Sequence, residues 1–287
     1  MRWENFIVEK VKSENAKITK TQQLVADYFV KHTEKATYMT VNQIAQEVGV
    51  SETTVIRFAL SLGYKKFSEF QDELQSKILG DRTVHRLQKS NTEVKEVGVL
   101  SSSFHQDIDN LGRTLNQINE VEFNKVVEII SNTNQITVLG LRSSLTDAYY
   151  LGFSLNAMLG NVNIITNDNG IDLEASLLKI NEQSIVIVFT YTRFTIGTLE
   201  VLKYLKNEHD CTVVTITNSV RCPTIPYSNF VFLMDIDSFT PMQSHVSSFA
   251  FSNALISAVG LKQKNRVESN LNKLEKYYSN GNLFYEK

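Results

Sequence analysis

Proline, cysteine and net charge are all sparse in this sequence. Only 3 of its 287 residues are proline while 42% are apolar, a globular composition with room for one small and one ordinary domain around a sizeable core. The two cysteines, Cys211 and Cys222, fall in an apolar strand and a loop. They have neither metal-ligand nor redox-pair spacing, so no metal or other cofactor is expected. The net charge is −2 and the pI about 6.2, which leaves no bulk basic field to attract nucleic acid. No apolar run approaches membrane-spanning length, and the opening MRWENFIVEK is polar and amphipathic, unlike a signal peptide. The expectation is a cytoplasmic protein with no membrane partner.

Against that plain background one stretch is dense with signals, Thr40 to Phe67. Ile44, Ala45 and Val48 share one face of a short helix, started by a Thr40/Gln43 capping box and closed by Gly49. The turn Gly49-Val50-Ser51 leads, with Ser51 as N-cap, into a second helix to about Leu62 whose Val55, Phe58 and Leu62 recur at helical spacing. Small Ala45 lets the two helices approach, and Val50 fills the gap. This spacing predicts a DNA-binding helix-turn-helix. Ser51, Glu52, Thr53, Thr54, Arg57 and Ser61 would then face the major groove, where short polar groups and an arginine read base edges. Lys65 and Lys66 are placed for backbone phosphates, which add affinity but little discrimination. A helical hairpin with a solvated polar face fits the same pattern. Residues 1 to 80 carry 11 Lys and Arg against 10 Asp and Glu, so DNA affinity must come from a local patch and from two heads acting on one operator.

Around the motif, Ile7 and Val11 start a helix, and Thr19 precedes another with Leu24, Val25, Tyr28 and Phe29 as its apolar stripe. Phe67, Phe70, Leu74 and Ile78 predict one more, for about five helices in all. The run from Ile18 through Phe70, with its S-x-TTV-x-RF-x3-LGY-x2-F-x-EF signature, resembles the amino-terminal domain of the RpiR family of bacterial transcriptional regulators. That resemblance implies a transcription factor, commonly a repressor, whose second domain senses a phosphorylated sugar.

A polar connector, helical or partly flexible, follows at residues 81–110, with Arg82, Arg86, Lys89 and Lys95 among acids, either solvated or touching the DNA flanks. Leu111, Leu115 and Ile118, then Phe123, Val126, Val127 and Ile130, predict two helices. Strands are predicted at Ile136 to Gly140, Val162 to Ile165, Ser184 to Phe189, Thr212 to Ile216 and Phe230 to Met234. Helices lie between most of them, one with Ala148, Leu151, Leu155 and Met158 inward, and a last one covers Gln243 to Gly260. The fold class is therefore α/β, with an all-α helix-turn-helix head at 1–80 followed by a three-layer α/β/α sandwich with a five-stranded parallel sheet at 111–262. A polar helical tail, 263–287, carries Val267, Leu271, Leu274 and Tyr278 and is expected to pack on the sheet domain or on a second subunit.

With strand order 2-1-3-4-5, ligands are expected between strands one and three. The loops there are Gly140 to Ser144 and Thr190 to Thr195, each with hydroxyls and one arginine before a helix, a combination suited to an anion. For either loop alone, the hydroxyls also fit ordinary N-caps. The domain resembles the sugar isomerase (SIS) domain over about Leu111 to Leu261. The family's first phosphate loop is matched by Gly140 and Ser144, with Arg142 in place of the second glycine. Its second loop is matched loosely by Thr190, Thr192 and Thr195, with Arg193 replacing glycine. The resemblance implies Arg142, Ser143, Ser144, Thr190, Thr192, Arg193 and Thr195 as effector contacts. Asn218, Ser219 and Arg221 can reach the same rim or form a turn, and Asp237 to Ser244 can close over the ligand or serve an interface.

Three functional readings remain. The leading one is a regulator, not an enzyme: a homodimer or homotetramer that binds double-stranded operator DNA under control of a phosphorylated sugar. The second is a sugar-phosphate isomerase, for which Glu174 and His245 are the acid–base candidates, though nothing pairs them with each other. The third is a regulator whose sheet domain only dimerises.

Overall fold

The computed structural model describes residues 7, 10–11, 18–74, 98–166, 171–240 and 242–281. The basic residues Arg82, Arg86, Lys89 and Lys95 of the connector, and Ile78, lie outside them. The chain forms two compact units that divide near residue 96, with residues 219–221 and 239–242 grouped with the first.

In the head, Ile7, Lys10 and Val11 are helical, followed by α1 (Lys20–Lys31), α2 (Thr33–Thr37), α3 (Val41–Val48), α4 (Glu52–Ser61) and α5 (67–74). The predicted caps form. Thr19 with Gln22 and Thr40 with Gln43 each make both halves of a capping box, and the Ser51 side chain accepts from Thr54 N–H. Gly49 ends α3 at φ 75°, a left-handed position that favours glycine. Helix α2 was not anticipated, because TEKAT has no apolar period; its Thr33 and Thr37 hydroxyls instead donate to carbonyls one turn back. Leu24 is not part of the core, being 51% exposed, since it falls on the side of α1 away from Phe29.

The head core is built on rings. Phe29 meets Phe70 edge-on at 5.0 Å between centroids and lies 6.1 Å from Phe58, and Phe70 meets Phe58 at 5.8 Å. All three are fully buried. Phenylalanines from α1, α4 and α5 thereby tie the helix-turn-helix to its bracing helices through one aromatic cluster.

The described part of the second unit begins with α6 (Val99–Gln117), whose first turns cover the end of the connector. Then come α7 (Glu120–Asn132), β1 (Ile136–Gly140), α8 (Leu145–Leu159), β2 (Val162–Ile165), α9 (Ile171–Leu177) and β3 (Ile185–Phe189). α10 (Ile196–Glu208), β4 (Thr212–Thr217), β5 (Phe230–Leu233), α11 (Val246–Lys262) and α12 (Lys264–Gly281) complete it. The five strands are all parallel, in order β2-β1-β3-β4-β5. β1 and β3 are buried along their whole lengths, which is why they read as continuous apolar runs without alternation. Val138, Ile187 and Phe189 pack under α7, α8 and α11, while Leu139, Val186 and Val188 pack against α10.

Three details differ from the sequence reading. Cys211 lies just before β4, outside the strand, and both cysteines are buried and free. Helix α11 starts at Val246, three residues later than expected, because Gln243 and Ser244 are engaged elsewhere. Helix α12 is fastened to α8 chiefly by polar groups: Arg266 donates two bonds to the Leu159 carbonyl and Asn270 one to that of Met158. Leu271 of its apolar stripe is 42% exposed.

Candidate functional site

On the head, Glu52, Thr53 and Arg57 are exposed along α4, and Lys65 and Lys66 are exposed just beyond it, as a groove-reading surface requires. Ser61 and Ser51 are also engaged within the head. The Ser61 hydroxyl donates to the Phe58 carbonyl at 2.7 Å, so it is spent within the helix. Ser51 faces the start of α4, where it caps Thr54 N–H and also meets the Thr54 hydroxyl at 2.9 Å. Asn42 was missed: its amide donates to Glu52 at 2.6 Å, linking α3 to the first turn of α4. That pairing joins two helices ten residues apart and has no local signature. Ile56 and Leu60 are exposed on α4, at 39% and 45%, and apolar groups there suit thymine methyls.

In the sheet domain, β1 and β3 are neighbours and Gly140 is in register with Phe189. The loops that follow therefore leave the sheet side by side at its carboxyl end. Gly140 is required there, since a Cβ on it would lie 2.3 Å from the Ser144 carbonyl oxygen. A 3-10 turn, Arg142–Ser144, leads into α8 with Arg142 at φ 57°. Arginine thus stands in a conformation that favours glycine, at a cost of about 1–2 kcal/mol. Arg142 and Ser143 are exposed and Ser144 is buried.

In the second loop Arg193 is exposed and Thr192 half-buried, while Thr190 is buried and its N–H continues the ladder to Ile216. Thr192 is gripped from two sides. Its N–H donates to Asn218 Oδ1 at 2.9 Å, and its hydroxyl oxygen accepts from Asn218 and from Gln243, each at 3.1 Å. Asn218 is therefore a brace of the loop, whereas Ser219 accepts from Arg221 N–H in a turn of its own.

The capping alternative fails for both loops. Neither Ser144 before α8 nor Thr195 before α10 makes a side-chain cap bond, and Thr195 pairs with the Thr198 hydroxyl at 2.7 Å instead. Helix α11 also starts at this end; its His245 makes no cap bond, but the Ser244 hydroxyl accepts from Val246 N–H at 3.4 Å. The starts of α8 and α10 carry no side-chain cap at this end of the sheet, each follows a loop with an arginine, and that arrangement favours an anion.

Behind the loops sits a polar cluster that sequence reasoning missed. His245 Nδ1 lies 2.7 Å from Asp147 Oδ2, the Asp147 side chain is fully buried, and its other oxygen has no partner among the described residues. Tyr191 meets the His245 ring edge-on at 5.6 Å and hydrogen-bonds Ser248. Burial raises the Asp147 carboxyl above its ordinary value, with His245 opposing, and burial followed by the Asp147 charge pushes Tyr191 well above 10. An ionised Asp147 holds the proton on Nδ1 and turns Nε2 into an acceptor. Asp147 could have been found one turn into α8 from the first loop, but its partner is 98 residues away. Glu174 is exposed on α9.

A family model for the helix-turn-helix domain of the rpiR family matches residues 6–79, and one for the SIS domain matches residues 129–259. The chain belongs to the RpiR family. Its architecture is that family's pairing of a DNA-binding head with a SIS domain. This RpiR-family chain is 23% identical over 276 residues to the HTH-type transcriptional regulator HexR of Escherichia coli, covering 94% of this chain and 93% of HexR. In fold it is similar to the Vibrio vulnificus NanR protein complexed with ManNAc-6P, with TM-score 0.62, 16% identity, and 95% of this chain and 97% of NanR covered. It is also similar to the sugar isomerase domain of an RpiR transcription factor from Sphaerobacter thermophilus, with TM-score 0.58, 23% identity, and 62% and 98% covered. Among the described residues no helix is long and apolar enough to cross a membrane.

Proposed function

We propose that this DNA-binding transcriptional regulator represses sugar-metabolism genes as a cytoplasmic homodimer or dimer of dimers, released or recruited by a phosphorylated sugar in the SIS domain. The observation that carries the effector reading is the pair of adjacent loops with uncapped helix starts and one arginine each. Arg142 and Arg193 supply charge to the phosphoryl group, and Ser143, Ser144, Thr192 and Thr195 line its approach. Thr190 acts from behind, as part of the sheet. That NanR is complexed with ManNAc-6P supports the same ligand class here. Self-association through the sheet domain is supported by the outward stripe of α6, where Leu100, Phe104, Ile108 and Leu115 are 60–75% exposed. A second copy covering such a stripe gives each head a partner on a palindromic operator. Effector binding then changes DNA affinity through differential binding to two states.

A thermal-shift screen of the full chain against phosphorylated sugars and amino sugars tests the ligand, since a binder of the folded state raises Tm. A hit lost in the Arg142→Ala/Arg193→Ala variant, with operator binding retained, sustains the reading. A hit retained in that variant moves the site. Arg57→Ala should weaken operator binding with the sheet domain intact, and an unchanged affinity would remove the assigned face.

The His245–Asp147 pair favours one second reading, sugar-phosphate isomerisation with His245 as the acid–base group. Glu174, exposed and remote in the sequence from the pair, gives no base for it. Turnover of sugar phosphates abolished by His245→Ala would establish catalysis over regulation alone.

A further inference from the structure

The segment between β5 and α11 touches the candidate effector loop at one point and α6 at several. At its far end the Gln243 amide donates to both the carbonyl and the hydroxyl oxygen of Thr192. The adjacent Ser244 hydroxyl donates to Asp107 on α6, and Ser244 N–H bonds back to the Ile236 carbonyl at 3.1 Å. Nearer β5, Arg113 pairs with Asp235 at 3.0 Å and Asp237 at 3.1 Å, buried Asn110 donates to the Asp237 carbonyl, and the Thr114 hydroxyl accepts from Asp235 N–H. The inner face of α6 is thus polar because it binds this strap. In the sequence, α6 is the first described helix after the head.

We propose that Gln243 is the positioning residue through which occupancy of the two loops is reported to α6. This rests on reading those loops as the effector site. The chemistry follows from Thr192. Its hydroxyl oxygen already receives two N–H donors, from Asn218 and Gln243, so its own hydrogen is available to an incoming acceptor, and a phosphoryl oxygen supplies one. Accepting that hydrogen polarises the hydroxyl and strengthens the Gln243 bond, as in any hydrogen-bonded chain. Gln243 is then held harder, Ser244 with it, and Asp107 on α6 loses freedom. By reciprocity a displaced α6 lowers the affinity of the loops for the anion. Asn218 holds Thr192 independently, so the loop keeps its shape without Gln243.

Hydrogen exchange on the full chain, with and without saturating inorganic phosphate, tests this. In the wild type phosphate should slow exchange at residues 190–195 and along 106–117 of α6 by about fivefold or more, the low end of ordinary coupling between sites. Gln243→Ala should keep the slowing at 190–195 and lose it on α6. Asp107→Ala should behave the same way, and Asp107→Asn, which retains an acceptor for Ser244, should resemble the wild type. Slowing on α6 that survives Gln243→Ala overturns the proposal, as does wild-type slowing confined to 190–195. Loss of slowing at both places in Gln243→Ala makes Gln243 a mere brace of the loop and also overturns it. If phosphate slows nothing at 190–195 in the wild type, the effector reading itself falls and this inference with it.

Discussion

The head and the ligand end of the sheet domain treat their helix ends in opposite ways. In the head, α1, α3 and α4 are each capped by a side chain from the preceding residue, so the amides that would face solvent are satisfied internally. At the carboxyl end of the sheet, α8 and α10 begin without a side-chain cap although serine and threonine stand at the cap positions. The same sheet domain does cap α7, where Asn119 accepts from two amides, while α2 in the head starts without a side-chain cap. The head uses its polar residues to fix a rigid shape whose outer surface meets DNA. The sheet domain starts α8 and α10 without such caps, at the end where the candidate site lies.

The largest test of that contrast is aimed at the head. Phe70→Ala removes a ring shared by Phe29 and Phe58 and should cost about 3–5 kcal/mol, abolishing operator binding. Calorimetry should show the sheet domain's transition unmoved, and a joint loss of both transitions would break the picture of separately built units. Gly140→Ala comes next. Its Cβ meets the Ser144 carbonyl, a backbone atom that cannot yield cheaply, for about 1–3 kcal/mol of strain, and phosphate binding should disappear while operator binding by the head remains. The caps sharpen the comparison directly. Thr40→Ala should lower stability by about 1 kcal/mol in denaturant titration, whereas Ser144→Ala and Thr195→Ala should change stability little and weaken phosphate binding. A full capping loss at Ser144 or Thr195 would erase the distinction. Arg142→Gly should relieve about 1 kcal/mol of left-handed strain and still reduce anion affinity, separating the loop's shape from its charge.

The smallest effect is a slope with pH. Burial raises the folded-state pKa of Asp147 above its ordinary 3.8, so between 3.8 and that raised value the folded chain holds more protons than the unfolded one. The contribution to stability is then present on the acid side and is lost as pH rises through the folded pKa. Asp147→Asn removes that loss. The wild-type Tm should fall relative to the variant's across the window, and a parallel pair of curves would remove the burial argument.

Much of this was legible in the sequence because it is local. The capping box at Thr40, the left-handed Gly49 and the apolar positions of α3 and α4 lie within about twenty residues, and each acts through its neighbours. The sheet order followed from buried strands alternating with helices. The site was only half legible. Its loops could be placed by topology, and Arg142 and Arg193 picked out by charge, but the fate of each hydroxyl depends on partners far along the chain. Ser61 turns back on its own helix, Thr192 is held by Asn218 and Gln243, and Asp147 finds His245. No spacing rule predicts such meetings, and Leu24 shows that even a helical stripe can be drawn one residue too wide.

Helix α8 can finally be viewed as a dipole terminated at both poles. Its amino end opens toward the candidate anion, and its carboxyl end, closed by left-handed Gly160, receives the Arg266 guanidinium on the Leu159 carbonyl. Helix α12 thus supplies the positive charge that complements the end opposite the ligand. Any tag, truncation or modification that lifts α12 from this position leaves α8 with one pole uncompensated. The carboxyl-terminal tail therefore closes the helix whose other end faces the candidate site.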